Sequence, residues 1–264
     1  FDLCLPVVDT NGEPVPLHLH RERLGMSCVL GYDCVAAAHV AWGQLSDADR
    51  WRREPVPASA VRNTLSGAEW GSKHRQLLVG ARREEGHVQQ LSRLTVVLTE
   101  AEDVSAFQTA AAAGASGVLA GYDLVAVTPA SERAFTAACA TLPVDLISLD
   151  LSRRLPFKLR AGPIKAALAR GVHFEVSYAP ALRDEASRRQ LFANALALAR
   201  LTGNGRGVVL ASGARKAMEQ RAPHDAANLA TVFGLAPDAA LAAVSQRCRD
   251  VVARAEERRR NASG

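Results

Sequence analysis

The chain has 264 residues and a mass of 28.1 kDa, with 48% hydrophobic and 22% charged residues, a formal net charge of +5 and an isoelectric point near 9.2. That length is enough to bury a sizeable core, and the composition excludes a wholly disordered chain. No run of about 18 apolar residues is free of charge, which excludes a helical membrane span, and five cysteines without a C-x-x-C pair exclude a disulfide framework or a zinc module.

Taken in chain order, short apolar runs alternate with alanine-rich amphipathic runs. Leu3 to Val8 reads as a strand, Leu24 to Leu30 as a helix stopped at Gly31, and Cys34 to Ala38 as the next strand. Thr95 to Leu98 predicts a strand and Val104 to Ala113 a helix, followed by Leu124–Val127 and Ser131–Ala140 in the same roles. Val144–Leu149, Phe174–Tyr178 and Val208–Ala211 read as strands, with helices over Ile164–Ala169 and from about Asp184 to Leu201. Asp225–Phe233 and Asp238–Glu257 read as closing helices, Asp238 sitting near an N-cap.

Strands alternating with helices imply parallel pairing, because each crossover needs a helix. The strands show little period-two alternation, as in a sheet covered on its outer face. The expectation is an α/β fold, a TIM-like β/α barrel, with an open doubly wound sheet as the alternative. A single domain is expected over residues 1–257. It carries a long irregular insertion at about 42–90, a partly ordered loop with a lid or a binding arm as its alternatives, and a basic tail over 258–264 that frays. The first residue is Phe1, so residues are expected to precede it.

The positive charge is segregated. Residues 151–221 carry 14 basic and 4 acidic groups, whereas residues 101–150 carry 1 and 6. Such asymmetry points to a polyanionic partner. Enzyme motifs are poorly supported by comparison. Gly203-Asn204-Gly205-Arg206-Gly207 precedes a strand and lacks the helix N-terminus that a phosphate loop needs. His18-Leu19-His20 looks like a solvated helix entrance. His39 and Glu175, near strand ends, are the first candidates for a site at the barrel mouth. No third ligand converges with them, and the favoured reading has His39 hydrogen-bonded within the mouth and Glu175 paired with a nearby arginine.

Several segments, in order, carry a resemblance: Leu30-Gly31-Tyr32-Asp33-Cys34-Val35-Ala36, Arg93-Leu94-Thr95-Val96-Val97, Tyr122-Asp123-Leu124-Val125-Ala126-Val127, Leu155-Pro156-Phe157, Phe174-Glu175-Val176-Ser177-Tyr178-Ala179-Pro180-Ala181 and Arg221-Ala222-Pro223-His224-Asp225-Ala226-Ala227-Asn228-Leu229. The string resembles the family of 30-kDa protein subunits of archaeal and eukaryotic nuclear ribonuclease P, shared with ribonuclease MRP. The resemblance implies a seven-stranded, distorted barrel of the polymerase-and-histidinol-phosphatase type. Metal-dependent members of that superfamily carry His-x-His, Thr-Asp-His and Asp-x-His motifs. The corresponding positions here read Asp2 and Cys4, Ala37-Ala38-His39, and Gly213-Ala214-Arg215. The metal cluster therefore looks dismantled, and no catalytic residue, metal or cofactor is expected on this chain, with Mg2+ expected on the catalytic RNA.

The resemblance further implies a non-catalytic subunit that supports the RNA during removal of the 5′ leader from precursor tRNA. The implied partners are the ribonuclease P or MRP RNA, a small subunit of RNA-recognition-motif-like fold, other holoenzyme proteins, and precursor tRNA through the complex; no membrane is involved. The implied location is the nucleus, with the nucleolus if the source is eukaryotic. A metal-dependent phosphoesterase of the same superfamily is the alternative, and a free-standing RNA chaperone a third reading. Arg153, Arg154, Lys158, Arg160, Lys165, Arg183, Arg188, Arg189, Arg215 and Lys216 are the candidate RNA contacts, gathered on one rim if the barrel closes. His39, Glu175 and Arg221 are the expected structural residues of the mouth, with Arg221 paired to Glu175 in place of the lost metal charge.

Overall fold

The apolar runs form seven strands: β1 (Asp2–Pro6), β2 (Cys34–Trp42), β3 (Gln89–Leu98), β4 (Leu124–Pro129), β5 (Leu146–Ser148), β6 (His173–Ser177) and β7 (Val208–Ala211). They belong to a computed structural model that describes residues 1–8, 13–50, 54–57, 59–61 and 88–263. Every neighbouring pair is parallel, and the spatial order follows the chain order from β1 to β7. This is the barrel that the alternation predicts, and the open doubly wound alternative is set aside.

Closure between the first and last strands is made by a few bonds just beyond β7. The Gly213 amide donates to the Cys4 carbonyl at 3.0 Å, and the buried Asp2 carboxylate accepts the Ser212 amide at 2.8 Å. The register of β1 slips between Asp2 and Leu5, so the barrel is distorted and only nearly closed.

Helices Leu17–Val29, Ala101–Ala112, Glu132–Ala140, Ala161–Ala169, Glu185–Leu201 and Pro223–Val232 wrap the outside. Local chemistry starts two of them: Ser131 accepts the Ala134 amide at 3.3 Å, and Asp184 accepts the Ser187 amide at 2.8 Å. Between Glu185–Leu201 and β7 the chain turns through Gly203, Asn204, Gly205 and Gly207, all at positive φ. A Cβ at Gly207 would lie 2.2 Å from Leu168, so those glycines serve a tight turn, consistent with rejecting a phosphate loop.

The lumen is filled from below. Leu3, Cys34, Ala36, Leu91, Leu124, Ala126, Leu146 and Val209 meet Cys248, Val251 and Ala255 of the last helix, Gln246–Ser263. Small residues at 34, 36 and 126 suit the narrow interior of a seven-stranded barrel. Cys28, Cys34, Cys139 and Cys248 are buried thiols, and no cysteine among the described residues is bridged.

Several expectations are corrected. β2 extends to Trp42 and β3 begins at Gln89, so both strands outrun their apolar runs through mutual pairing from Cys34↔Gln89 to Trp42↔Val97. The first helix starts at Leu17, which puts His20 inside it and buries it. The single closing helix breaks near Ser245 into Pro237–Ala243 and Gln246–Ser263. Residues 258–263 are helix rather than a fraying tail, because Arg258 binds the buried Asp145 at 3.0 Å and Arg259 binds Asp123 at 2.6 Å. Within the expected insertion, residues 47–50 form a 3-10 turn, while 62–87 lie outside the described residues. No helix among the described residues is long and apolar enough to cross a membrane.

Candidate functional site at the barrel mouth

Period two in a strand sends alternate side chains to the lumen. On β3 those are Leu91, Arg93 and Thr95. On β6, Glu175 faces Arg93 across the barrel, and both are fully buried. The Arg93 guanidinium donates through Nη1 to Glu175 Oε2, through Nη2 to Oε1 at 2.9 Å, to the Leu3 carbonyl at 2.7 Å, and through Nε to Thr95 Oγ1 at 3.0 Å. Ser148 Oγ donates to Glu175 Oε1 at 2.8 Å. Burial opposes the charge on Arg93, but the adjacent Glu175 carboxylate, together with Cys4 and Asp2, outweighs that penalty and holds the guanidinium above its ordinary range. Both carboxylate oxygens are occupied, so this is a satisfied buried ion pair.

Above the pair opens a cavity of 410 Å³, lined by Cys4, Ala38, Val40, Thr95, Thr128 and Ser177 from the strands and by Arg153, Arg183 and Arg215 at the rim. Burial pushes the Cys4 thiol up to about 12, with the Glu175 charge adding to it, so Cys4 stays protonated and is a poor nucleophile.

Two of the three expected mouth residues are corrected. His39 lies between Ala38 and Val40 on β2, and those two line the cavity, so His39 points the other way. Its ring stacks on Tyr122 at 6.4 Å and lies 3.7 Å from an Asp49 oxygen, in the outer layer, where burial lowers its pKa. Arg221 does not pair with Glu175. Its guanidinium donates to the Met218 and Gln220 carbonyls at 2.8 and 2.9 Å, closing its own turn. Its backbone is clamped by two tyrosines: its amide donates to Tyr178 Oη, and its carbonyl accepts from Tyr32 Oη, each at 2.8 Å. Glu175 does pair with an arginine, and that arginine is Arg93. Sequence reasoning missed Arg93 because the strand was started two residues later, at Thr95. The available signal was a lone charge in an apolar run.

The barrel interior does not fit a catalytic metal cluster. The Glu175 carboxylate at the mouth floor is already held by a guanidinium, whose positive charge repels a cation. Among the described residues, no three His, Cys, Asp or Glu side chains converge.

All ten candidate RNA contacts follow the C-terminal ends of three successive strands: Arg153 to Lys165 after β5, Arg183 to Arg189 after β6, and Arg215 and Lys216 after β7. They therefore belong to one face. Four are committed to acids: Arg153 to Asp150 at 3.6 Å, Arg160 to Glu132 at 3.1 Å, Arg183 to Glu219 at 2.9 Å and Arg189 to Glu185 at 3.2 Å. Glu219 also accepts the Arg215 amide at 2.7 Å. Arg188 donates to the Ala181 carbonyl at 2.7 Å. Arg154, Lys158, Lys165 and Lys216 are exposed and pair with no acid among the described residues.

The model of the family described as RNase P subunit p30 matches residues 16–260. The chain belongs to the ribonuclease P subunit p30 family. It is similar to the mouse ribonuclease P protein subunit p30, with 33% identity over 230 residues covering 87% of this chain and 78% of that protein. It is also similar to a probable ribonuclease P protein subunit 3 of Schizosaccharomyces pombe, with 39% identity over 144 residues, 54% of this chain and 61% of that one. A chain in the structure of archaeal ribonuclease P with mature tRNA shares the fold, with a TM-score of 0.62 at 11% identity over 97% of this chain and 91% of that chain. Across this p30-family chain, the match runs from just before the first helix almost to the end of the helix that closes the barrel bottom.

Proposed function

We propose that this p30-family chain is a non-catalytic protein subunit of ribonuclease P, and also of ribonuclease MRP, that binds and supports the catalytic RNA while the 5′ leader of precursor tRNA is removed. The single observation that carries this reading is the p30 family match over residues 16–260. The Arg93–Glu175 pair at the mouth floor supports it, because a guanidinium there leaves no place for the metal cluster of a phosphoesterase. The ten basic residues of the C-terminal face are the proposed RNA contacts, through phosphates rather than bases. In this reading Mg2+ belongs to the RNA, a small RNA-recognition-motif-like subunit and further proteins complete the particle, and the particle is nuclear, with a nucleolar pool.

The test is affinity capture of the tagged chain from its own cells, followed by sequencing of bound RNA and a precursor-tRNA cleavage assay. The expected result is a structured RNA with leader-cleaving activity that is lost on nuclease treatment. RNA-free protein with manganese-stimulated phosphoesterase activity would overturn the proposal. In the captured particle, Arg188→Glu with Arg189→Glu is expected to weaken RNA association and flatten its salt dependence without unfolding the chain.

A further inference from the structure

The segment from Leu151 to Arg160 alternates anchors and cations. Leu151 and Phe157 are buried, and Leu155 and Leu159 pack against the same core. Phe157 stacks on Phe135 with ring centroids 4.9 Å apart. One side chain from another element pins the front of this strap: Asn194, on Glu185–Leu201, donates to the Leu151 carbonyl at 2.9 Å and to the Arg153 carbonyl at 2.8 Å. Gln190 donates to Asn194 Oδ1 at 3.2 Å and so orients the amide. The strap is thus a fixed platform with exposed cations.

Those cations are not equivalent. Arg153 and Arg160 face Asp150 and Glu132, whereas Arg154 and Lys158, with Lys165 on the helix that follows, face no acid among the described residues. The strap's one aromatic ring is turned into the core, so it offers no surface on which an unpaired base stacks. A fixed row of acid-free cations without a stacking ring is suited to the phosphates of helical RNA.

We propose that the strap 151–160, continued by Lys165, is a preorganised phosphate-contact element for helical RNA, with Arg154, Lys158 and Lys165 as its contacts and Asn194 as its positioning residue. The proposal rests on the RNA-binding role above and goes beyond it by separating contacts from internally paired cations. Pinning the strap before binding removes part of the ordering cost of association.

The test uses the particle reconstituted with the ribonuclease P RNA of the same organism, with RNA affinity measured across a salt series. Arg154→Gln/Lys158→Gln/Lys165→Gln is expected to lower the slope of log affinity against log salt by about two to three. Arg153→Gln/Arg160→Gln is expected to lower it by less than about one. Asn194→Ala keeps every charge, so affinity is expected to fall about three- to tenfold at an unchanged slope. In the triple-variant background Asn194→Ala is expected to add nothing, because the contacts it positions are gone. Melting curves accompany each variant, and Asn194→Ser replaces Asn194→Ala if the latter unfolds.

Wild-type affinity and slope in the triple variant would overturn the contact assignment. An equal loss from Asn194→Ala in both backgrounds would overturn the positioning role. Failure of the wild-type chain to enter an RNA-containing particle would overturn the proposed function instead.

Discussion

The most consequential single residue is Arg93. A buried carboxylate without its partner is costly, so Arg93→Met is expected to destabilise the fold by about 3–5 kcal/mol, whereas Arg93→Met/Glu175→Leu recovers most of that loss. Urea unfolding of the two variants checks this, and an equal loss in both would mean the pair is not the source. Two half-buried imidazoles give a second test at this scale. Burial lowers the pKa values of His39 and His173 from the ordinary 6.5. The unfolded chain therefore binds protons first, and the stability these residues contribute is present above 6.5 and lost as pH falls through their lower folded values. The urea midpoint is expected to fall between about pH 7 and pH 5, and to fall less in His39→Gln. Burial raises the pKa values of Asp2 and Asp145 above 3.8, which acts in the opposite sense within the carboxylate range. The readout is therefore the difference between wild type and His39→Gln.

At the scale of the element, the last helix matters more than its basic composition indicates. Gln246–Ser263 supplies Cys248, Val251 and Ala255 to the lumen and fastens its end to the turns before β4 and β5. Its two terminal clamps differ in burial. Arg258 meets Asp145, whose side chain is 1% exposed, whereas the Arg259 and Asp123 side chains are 38% and 27% exposed. Arg258→Ala is expected to cost about 2 kcal/mol or more by leaving a buried carboxylate short of donors. Arg259→Ala is expected to cost under about 1 kcal/mol. Thermal melts of the two variants rank them, and the reverse order would show that the end of the helix is held by some other contact. The strap after β5 follows the same logic on the opposite face: buried anchors set the path of the backbone, and the charges follow from it.

At the scale of the whole molecule, the two ends of the barrel have separate jobs. The bottom is sealed by the apolar face of an otherwise charged helix and by ion pairs, and the mouth is plugged by Arg93 and Glu175 beneath a cationic rim. Most of the basic groups of residues 151–221 come to one face, because parallel strands place every following loop at the same end, while Arg170, Arg200 and Arg206 lie before β6 and β7 at the other end. That explains why a net charge of only +5 is compatible with a strongly basic surface.

The alternation of strands and helices, hence a parallel barrel, and the basic third of the chain are legible in the amino-acid order, because they depend on local periodicity and composition. Long-range packing alone selects the arginine that meets Glu175, turns His39 away from the mouth, makes Arg258 and Arg259 hold a helix rather than fray, and lets Asn194 pin the strap. Each of those depends on a partner 41 to 136 residues away or on strand register, and a change of one residue in register moves a side chain to the opposite face.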